Sequence, residues 1–188
     1  MTRAARLGFS FDVSRLRADL RAASAAGWER HFNPVNYEGE WSGVALRSNS
    51  PHILKLFIDP RGTPFQDMAP FADASYLREC IARLPCPVGA ARLMKLAAGS
   101  VIREHRDDDV SIEHEEVRLH IPIQTNDDVE FIVDGTPIRL EPGECWYVNV
   151  SLPHRLANRG ETDRIHLVVD ARVTPELRAA IDSATLRY

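Results

Sequence analysis

Five short segments carry most of the side chains able to do chemistry. His105-Arg106-Asp107 places an imidazole and a carboxylate two residues apart. On an extended chain such residues point the same way, so both can grip one divalent ion while Arg106 is directed elsewhere. His154, after Leu152-Pro153 at the end of an apolar stretch, supplies a third ligand if the fold returns it to the first two. Two histidines and one carboxylate leave three positions of an octahedral ion open, the facial set of non-heme iron chemistry. The spacing alone is weak, since His114-Glu115-Glu116 offers the same imidazole-to-carboxylate separation.

Two further segments alternate in polarity. In Val117–Ile123 the odd positions are all apolar, so Arg118 and His120 share the opposite face, and Arg164-Ile165-His166 repeats the arrangement. The polar face of one strand usually meets water. Two such strands in a chain that forms a small barrel instead line an inward polar pocket. Arg164 lies ten residues beyond His154. A guanidinium deep in such a barrel binds a dicarboxylate bidentately and holds its other end on the metal. The roles of His166, Arg103 and Arg106 stay open.

These residues need a scaffold of short strands. Turn residues separate β-rich runs at Gly43–Leu46, Ile53–Ile58, Arg92–Ala97, Val117–Ile123, Val129–Val133, Pro137–Leu140, Cys145–Val150 and Arg164–Val169. Asp134-Gly135 predicts a hairpin and Pro142-Gly143 the middle of a type II turn. Helices are expected over Ser14–Ala26 with Ser14 as cap, over Ala74–Leu84 with Asp73 as cap and Pro85 as stop, and from Thr174-Pro175-Glu176 onward. The fold predicted is mainly β with flanking helices, a double-stranded β-helix (jelly roll, cupin-like). Residues 1–188 are expected to be a single domain, with the metal and cosubstrate core at about 90–172.

Composition narrows the partners. A net charge of −4 and a pI near 6.0 give no electrostatic footprint for nucleic acid or an anionic membrane. Of 23 basic residues only Lys55 and Lys95 are lysine, an excess of arginine that reads as coding bias, so an individual arginine matters only by its position. Cys80, Cys86 and Cys145 lack CxxC spacing, which points to reduced thiols rather than disulfides or a thiolate zinc site. No apolar run suits a membrane helix or a signal peptide, and a cytoplasmic location is expected.

Taken in order, His105-x-Asp107, Arg118-Leu119-His120, Gly143-Glu144-x-Trp146, Pro153-His154, Arg164-x-His166 and Thr174-Pro175-Glu176-Leu177 resemble the aspartyl/asparaginyl β-hydroxylase family of Fe(II)/2-oxoglutarate dioxygenases. His31-Phe32-Asn33, Tyr37-Glu38-Gly39, Trp41-Ser42-Gly43 and Leu46-Arg47-Ser48 extend the resemblance, which covers roughly residues 29–177. The Trp146 and Arg164 segments are also similar to bacterial L-proline cis-hydroxylases.

The resemblance implies that His105, Asp107 and His154 bind Fe(II). It also implies that Arg164 pairs with the distal carboxylate of 2-oxoglutarate, and that Arg118 and His120 make further cosubstrate contacts. Dioxygen would be consumed and succinate and CO2 released, with hydroxylation of a small amino acid or of an aspartyl, asparaginyl or prolyl residue in a peptide. Some family members have glycine in place of the metal-binding aspartate, whereas Asp107 is present here. Arg47 and Trp41 are candidates for a substrate carboxylate and an apolar substrate surface. The proline hydroxylases carry a further C-terminal region, which leaves the substrate open. The alternative is a cupin-type metal-dependent protein, either a non-oxygenase enzyme or a ligand sensor. Such proteins usually offer His-x-His in the first motif and have no need of a buried guanidinium.

Overall fold

Along the chain run β1 (Ala4–Ser10), α1 (Val13–Ala23), β2 (Glu29–Arg30), β3 (Tyr37–Glu38), β4 (Trp41–Ser48), β5 (Gln66–Asp67), α2 (Ala69–Ala72), α3 (Ser75–Ala82), β6 (Val88–Leu96), β7 (Val101–His105), β8 (Glu116–Gln124), β9 (Val129–Val133), β10 (Thr136–Pro137), β11 (Glu144–Val148), β12 (His154–Asn158), β13 (Arg164–Arg172) and α4 (Pro175–Asp182). The structure is a computed structural model that describes residues 1–25, 27–50, 56, 58–59, 62–184 and 188.

Among the described residues the strands form two antiparallel sheets. The larger has the order β1-β11-β8-β13-β6-β4-β2, with β5 added on β4, and the smaller has the order β10-β9-β12-β7-β3. From β6 to β9 each successive strand crosses to the other sheet, and β11, β12 and β13 alternate in the same way. This winding is the jelly roll that the strand count predicts.

Strand alternation sorts side chains between two cores. On β8, Val117, Leu119, Ile121 and Ile123 are fully buried in a cluster that also holds Leu16, Leu20, Leu77, Cys80, Leu177 and Ile181 from the helices. Burial of each such aliphatic side chain contributes about 1.5–3 kcal/mol. The helices therefore cover the outer face of the larger sheet, and the opposite face of β8 and β13 is turned inward. Inside the roll Leu96, Ile102, Phe131, Val133, Trp146, Val148 and Leu156 form a second cluster drawn from both sheets.

Local details differ from the sequence pattern where a tertiary partner intervenes. Asp12, not Ser14, caps α1, its Oδ1 accepting from the Ser14 and Arg15 N–H groups. Asp73 does not cap α3; Asp19 of α1 accepts from the N–H groups of Tyr76 and Leu77 at 2.6 and 3.0 Å instead. Thr174 caps α4 as expected. The strand expected at Pro137–Leu140 is shortened to Thr136–Pro137, and most of the one expected at Ile53–Ile58 lies outside the described residues. Asp134 and Gly135, both at positive φ, join β9 to β10, and Gly143 takes φ 84° where an added Cβ would meet the Phe11 carbonyl oxygen at 2.6 Å.

Candidate active site

The three proposed ligands are brought together by strand pairing. His105 ends β7 and His154 begins β12, and the two are directly opposite across that antiparallel pair. Their rings lie 4.2 Å apart, centre to centre. Asp107 leaves the strand, but its N–H donates to the Val150 carbonyl at 2.9 Å, which pins the first motif to the loop leading into His154. One ligand atom from each residue lies within 4.8 Å of the others, and among the described residues this is the only such cluster. His114 instead turns outward, bonded to Ser111 and facing Asp109.

The tautomers suit a metal. His105 Nδ1 donates to the Arg103 carbonyl at 2.8 Å and His154 Nδ1 to the Leu152 carbonyl at 3.0 Å. A carbonyl only accepts, so each ring carries its proton on Nδ1 and offers the Nε2 lone pair. Burial pulls the pKa of His154 down to about 4, and the neighbouring His105 adds to this, so the ring is neutral at pH 7. Burial pushes the Asp107 carboxyl up, but Arg118 together with His154 and His105 outweighs it, and the group stays below the ordinary carboxylate value. Two imidazoles and one carboxylate are a donor set that fits a divalent transition metal.

These ligands line a cavity of about 340 Å³. Its walls include Arg92, Met94, Arg118, His120, Phe131, Arg164 and Val168 from the two sheets. Arg164 is 4% exposed. Its one hydrogen bond among the described residues donates from a terminal nitrogen to His166 Nδ1 at 3.0 Å, and no described carboxylate pairs with it. Burial without a counter-ion pulls its pKa down to about 9, which still leaves it charged at pH 7. His120 is buried in the same cavity with neither ring nitrogen hydrogen-bonded among the described residues, and burial holds its pKa well below 6.5. Arg164, Phe131 and His166 also line a second cavity of about 260 Å³.

Not every expected residue faces this space in the expected way. Trp41 lines the cavity, stacked on His31 with ring centres 3.5 Å apart. Arg47 does not line it: its guanidinium is engaged by Asp67 at 2.9 Å and the Val88 carbonyl at 3.4 Å. Arg118 lines the cavity, but its donors are taken by Asp107 and by Asp170 rather than left free. Arg103 is exposed and paired with Glu38, whereas Arg106 sits at the cavity wall and donates to the Ser151 carbonyl. Sequence reasoning missed Arg92, Asp170 and His31. The first two lie on the faces of Arg92–Ala97 and of the Arg164 strand that alternation makes inward, so the same period-two count finds them.

A family model described as aspartyl/asparaginyl beta-hydroxylase matches residues 12–173. The chain belongs to this family. A curated relative, the L-proline cis-4-hydroxylase of Rhizobium meliloti (strain 1021), is 24% identical to this family member over 166 residues, covering 87% of this chain. The chain spans 59% of that relative's length. Among solved structures, an oxidoreductase of the 2OG-Fe(II) oxygenase family from Burkholderia pseudomallei gives a TM-score of 0.63 at 15% identity over 91% of this chain and 86% of that one. The non-heme alpha-ketoglutarate-dependent epimerase SnoN from nogalamycin biosynthesis gives 0.57 at 12% identity, over 91% and 76%. At these identities the two structures establish the jelly-roll fold.

Proposed function

We propose that this chain is an Fe(II)/2-oxoglutarate-dependent dioxygenase that hydroxylates a small amino acid or an aspartyl, asparaginyl or prolyl residue. The carrying observation is Arg164: a buried guanidinium with no counter-ion among the described residues, in the same cavity as His105, His154 and the Asp107 carboxylate. A buried charge is costly unless paired, so the site is built for an anion that arrives as ligand. A cupin-type reading without a dicarboxylate leaves that charge unexplained.

In this reading His105, Asp107 and His154 hold the iron, and Arg164 fixes the distal carboxylate of 2-oxoglutarate through a bidentate pair. Bound iron, with 2-oxoglutarate and dioxygen, supplies the oxidation: the cosubstrate becomes succinate and CO2, and one oxygen atom enters a substrate C–H bond. His166 receives a hydrogen bond from Arg164 and so orients the guanidinium, and His120, in the same cavity and without a hydrogen-bond partner among the described residues, offers a further contact to the cosubstrate. Met94, Ile102, Leu156 and Val168 give the cavity apolar walls that exclude water. Trp41 supplies a flat apolar surface for substrate.

The similarity to an L-proline cis-4-hydroxylase and the modest cavity favour an amino-acid-sized substrate. We assign residues 1–188 to one catalytic domain. The free thiols Cys80, Cys86 and Cys145, the first two raised by burial to about 12 and 11, fit a reducing compartment such as the cytoplasm.

The test is an anaerobic titration of the Fe(II) protein with 2-oxoglutarate, followed by visible absorption. Chelation of the iron by a 2-oxo acid is expected to give a charge-transfer band, and its absence would sink the reading. Succinate release across L-proline, L-aspartate, L-asparagine and short peptides containing them then identifies the substrate.

A further inference from the structure

The Asp107 carboxylate is divided between two neighbours. Oδ2 is bonded to a terminal nitrogen of Arg118, whereas Oδ1 faces His105 Nε2 at 3.8 Å. Arg118 is gripped from behind by Asp170, Nε to Oδ1 at 2.6 Å and a terminal nitrogen to Oδ2 at 3.2 Å. Asp170 Oδ2 also takes a terminal nitrogen of Arg92, whose other terminal nitrogen donates to the Leu56 carbonyl at 2.8 Å. The result is a row of four charges alternating in sign.

The sheet builds this row. Asp170 on β13 is directly opposite Arg118 on β8, and Arg92 on β6 is opposite Val168, two residues from Asp170. Asp170 is 4% exposed and does not appear among the cavity-lining residues, so no step of the proposed reaction uses it.

We propose that Asp170 is a positioning residue for Asp107, acting through Arg118. A carboxylate with both oxygens free can bind a metal through both and fill two coordination positions. Asp170 locks the Arg118 fork so that Oδ2 stays committed to a charge-assisted hydrogen bond. Asp107 then offers Oδ1 alone, and three positions remain open on the ion. Arg92 supplies the second positive charge that lets Asp170 remain ionised between two guanidinium groups. This inference rests on the metal-site part of the reading above and is independent of the cosubstrate.

The experiment uses the full chain with Co(II) as a spectroscopic stand-in for Fe(II) and no cosubstrate. Co(II) affinity is measured by calorimetry, and its d–d absorption is recorded, for the wild type, Asp170→Asn, Arg118→Gln and Asp170→Glu. Asp170→Asn and Arg118→Gln are expected to weaken Co(II) binding about 10- to 100-fold, as loss of an outer-shell partner does. Both should also alter the d–d spectrum as Oδ2 is released, and Asp170→Glu, which keeps the charge, should recover most of the affinity. If Asp170→Asn fails to fold, Arg118→Gln decides.

Folded variants with wild-type affinity and spectrum would overturn the proposal, as would an Asp170→Glu protein that binds as weakly as Asp170→Asn. A wild type that binds no Co(II), or binds it undiminished after His105→Ala, refutes the metal site and this inference with it. A wild type that binds Co(II) but shows no 2-oxoglutarate response refutes the cosubstrate and leaves the positioning role standing.

Discussion

Two groups of buried arginine share one cavity and differ in what balances them. Arg92 and Arg118 stand against Asp170 and Asp107, two guanidinium groups against two carboxylates, and the sum is neutral. Among the described residues Arg164 has only an imidazole nitrogen. Burial alone disfavours the charge on Arg118, but the carboxylates of Asp170 and Asp107 outweigh it and hold its pKa above the ordinary arginine value. Arg164 has no such compensation and its pKa is displaced downward. An arginine satisfied by the protein is architecture or positioning. One left unsatisfied marks where a ligand supplies the missing charge.

The strongest way to break this contrast is to remove the compensating charge from the first group. Asp170→Leu leaves Arg92 and Arg118 facing each other in a buried site, and should lower stability by about 3–5 kcal/mol, read as a shifted denaturant midpoint. The matching change in the second group should act in the opposite sense on stability. Arg164→Met removes an uncompensated charge, so the ligand-free protein should be as stable as the wild type or more so. Its 2-oxoglutarate affinity should nevertheless fall at least about tenfold, since a charge-assisted bidentate pair contributes on the order of 2 kcal/mol. Both values come from the same calorimetric titration and melt, and a destabilised Arg164→Met would erase the distinction.

Acid sharpens the same comparison. Burial lowers the pKa of His31 and His154 to about 4 and drives His120 and His166 well below 6.5. Between pH 6.5 and 4 the unfolded chain therefore binds protons that the native state refuses, and stability falls as pH is lowered through that window. One such histidine contributes a slope of about 1.4 kcal/mol per pH unit. Denaturant midpoints of the metal-free protein at pH 7 and pH 5 check the sign. The smallest effect should come from Arg47→Ala, which removes a half-exposed ion pair with Asp67 outside the cavity. It should alter stability by under about 1 kcal/mol and leave 2-oxoglutarate binding unchanged.

Much of this site was legible because strands write a simple code. Alternation in Val117–Ile123 and Arg164–Val169 separates a helix-facing apolar row from an inward polar row, and Arg118, His120, Arg164 and His166 all lie on the inward side. The helices that cover the outer face were placed to within a few residues. The cap of α4 was legible as well, but those of α1 and α3 were not: Asp19 reaches α3 from another helix, and only the packing of α1 against α3 brings it there.

The sequence by itself determined the residue types and the family order of motifs, which are read along the chain, and the inward or outward facing of each strand residue, which depends on neighbours within a few positions. Tertiary structure alone decided which inward charges pair. Arg118 and Asp170 are 52 residues apart in the chain and directly opposite in the sheet. Arg47 was drawn to Asp67, 20 residues on, and away from the cavity. Ion pairing is decided over a few ångströms after the strands have found their register, and one strand read alone does not contain that register.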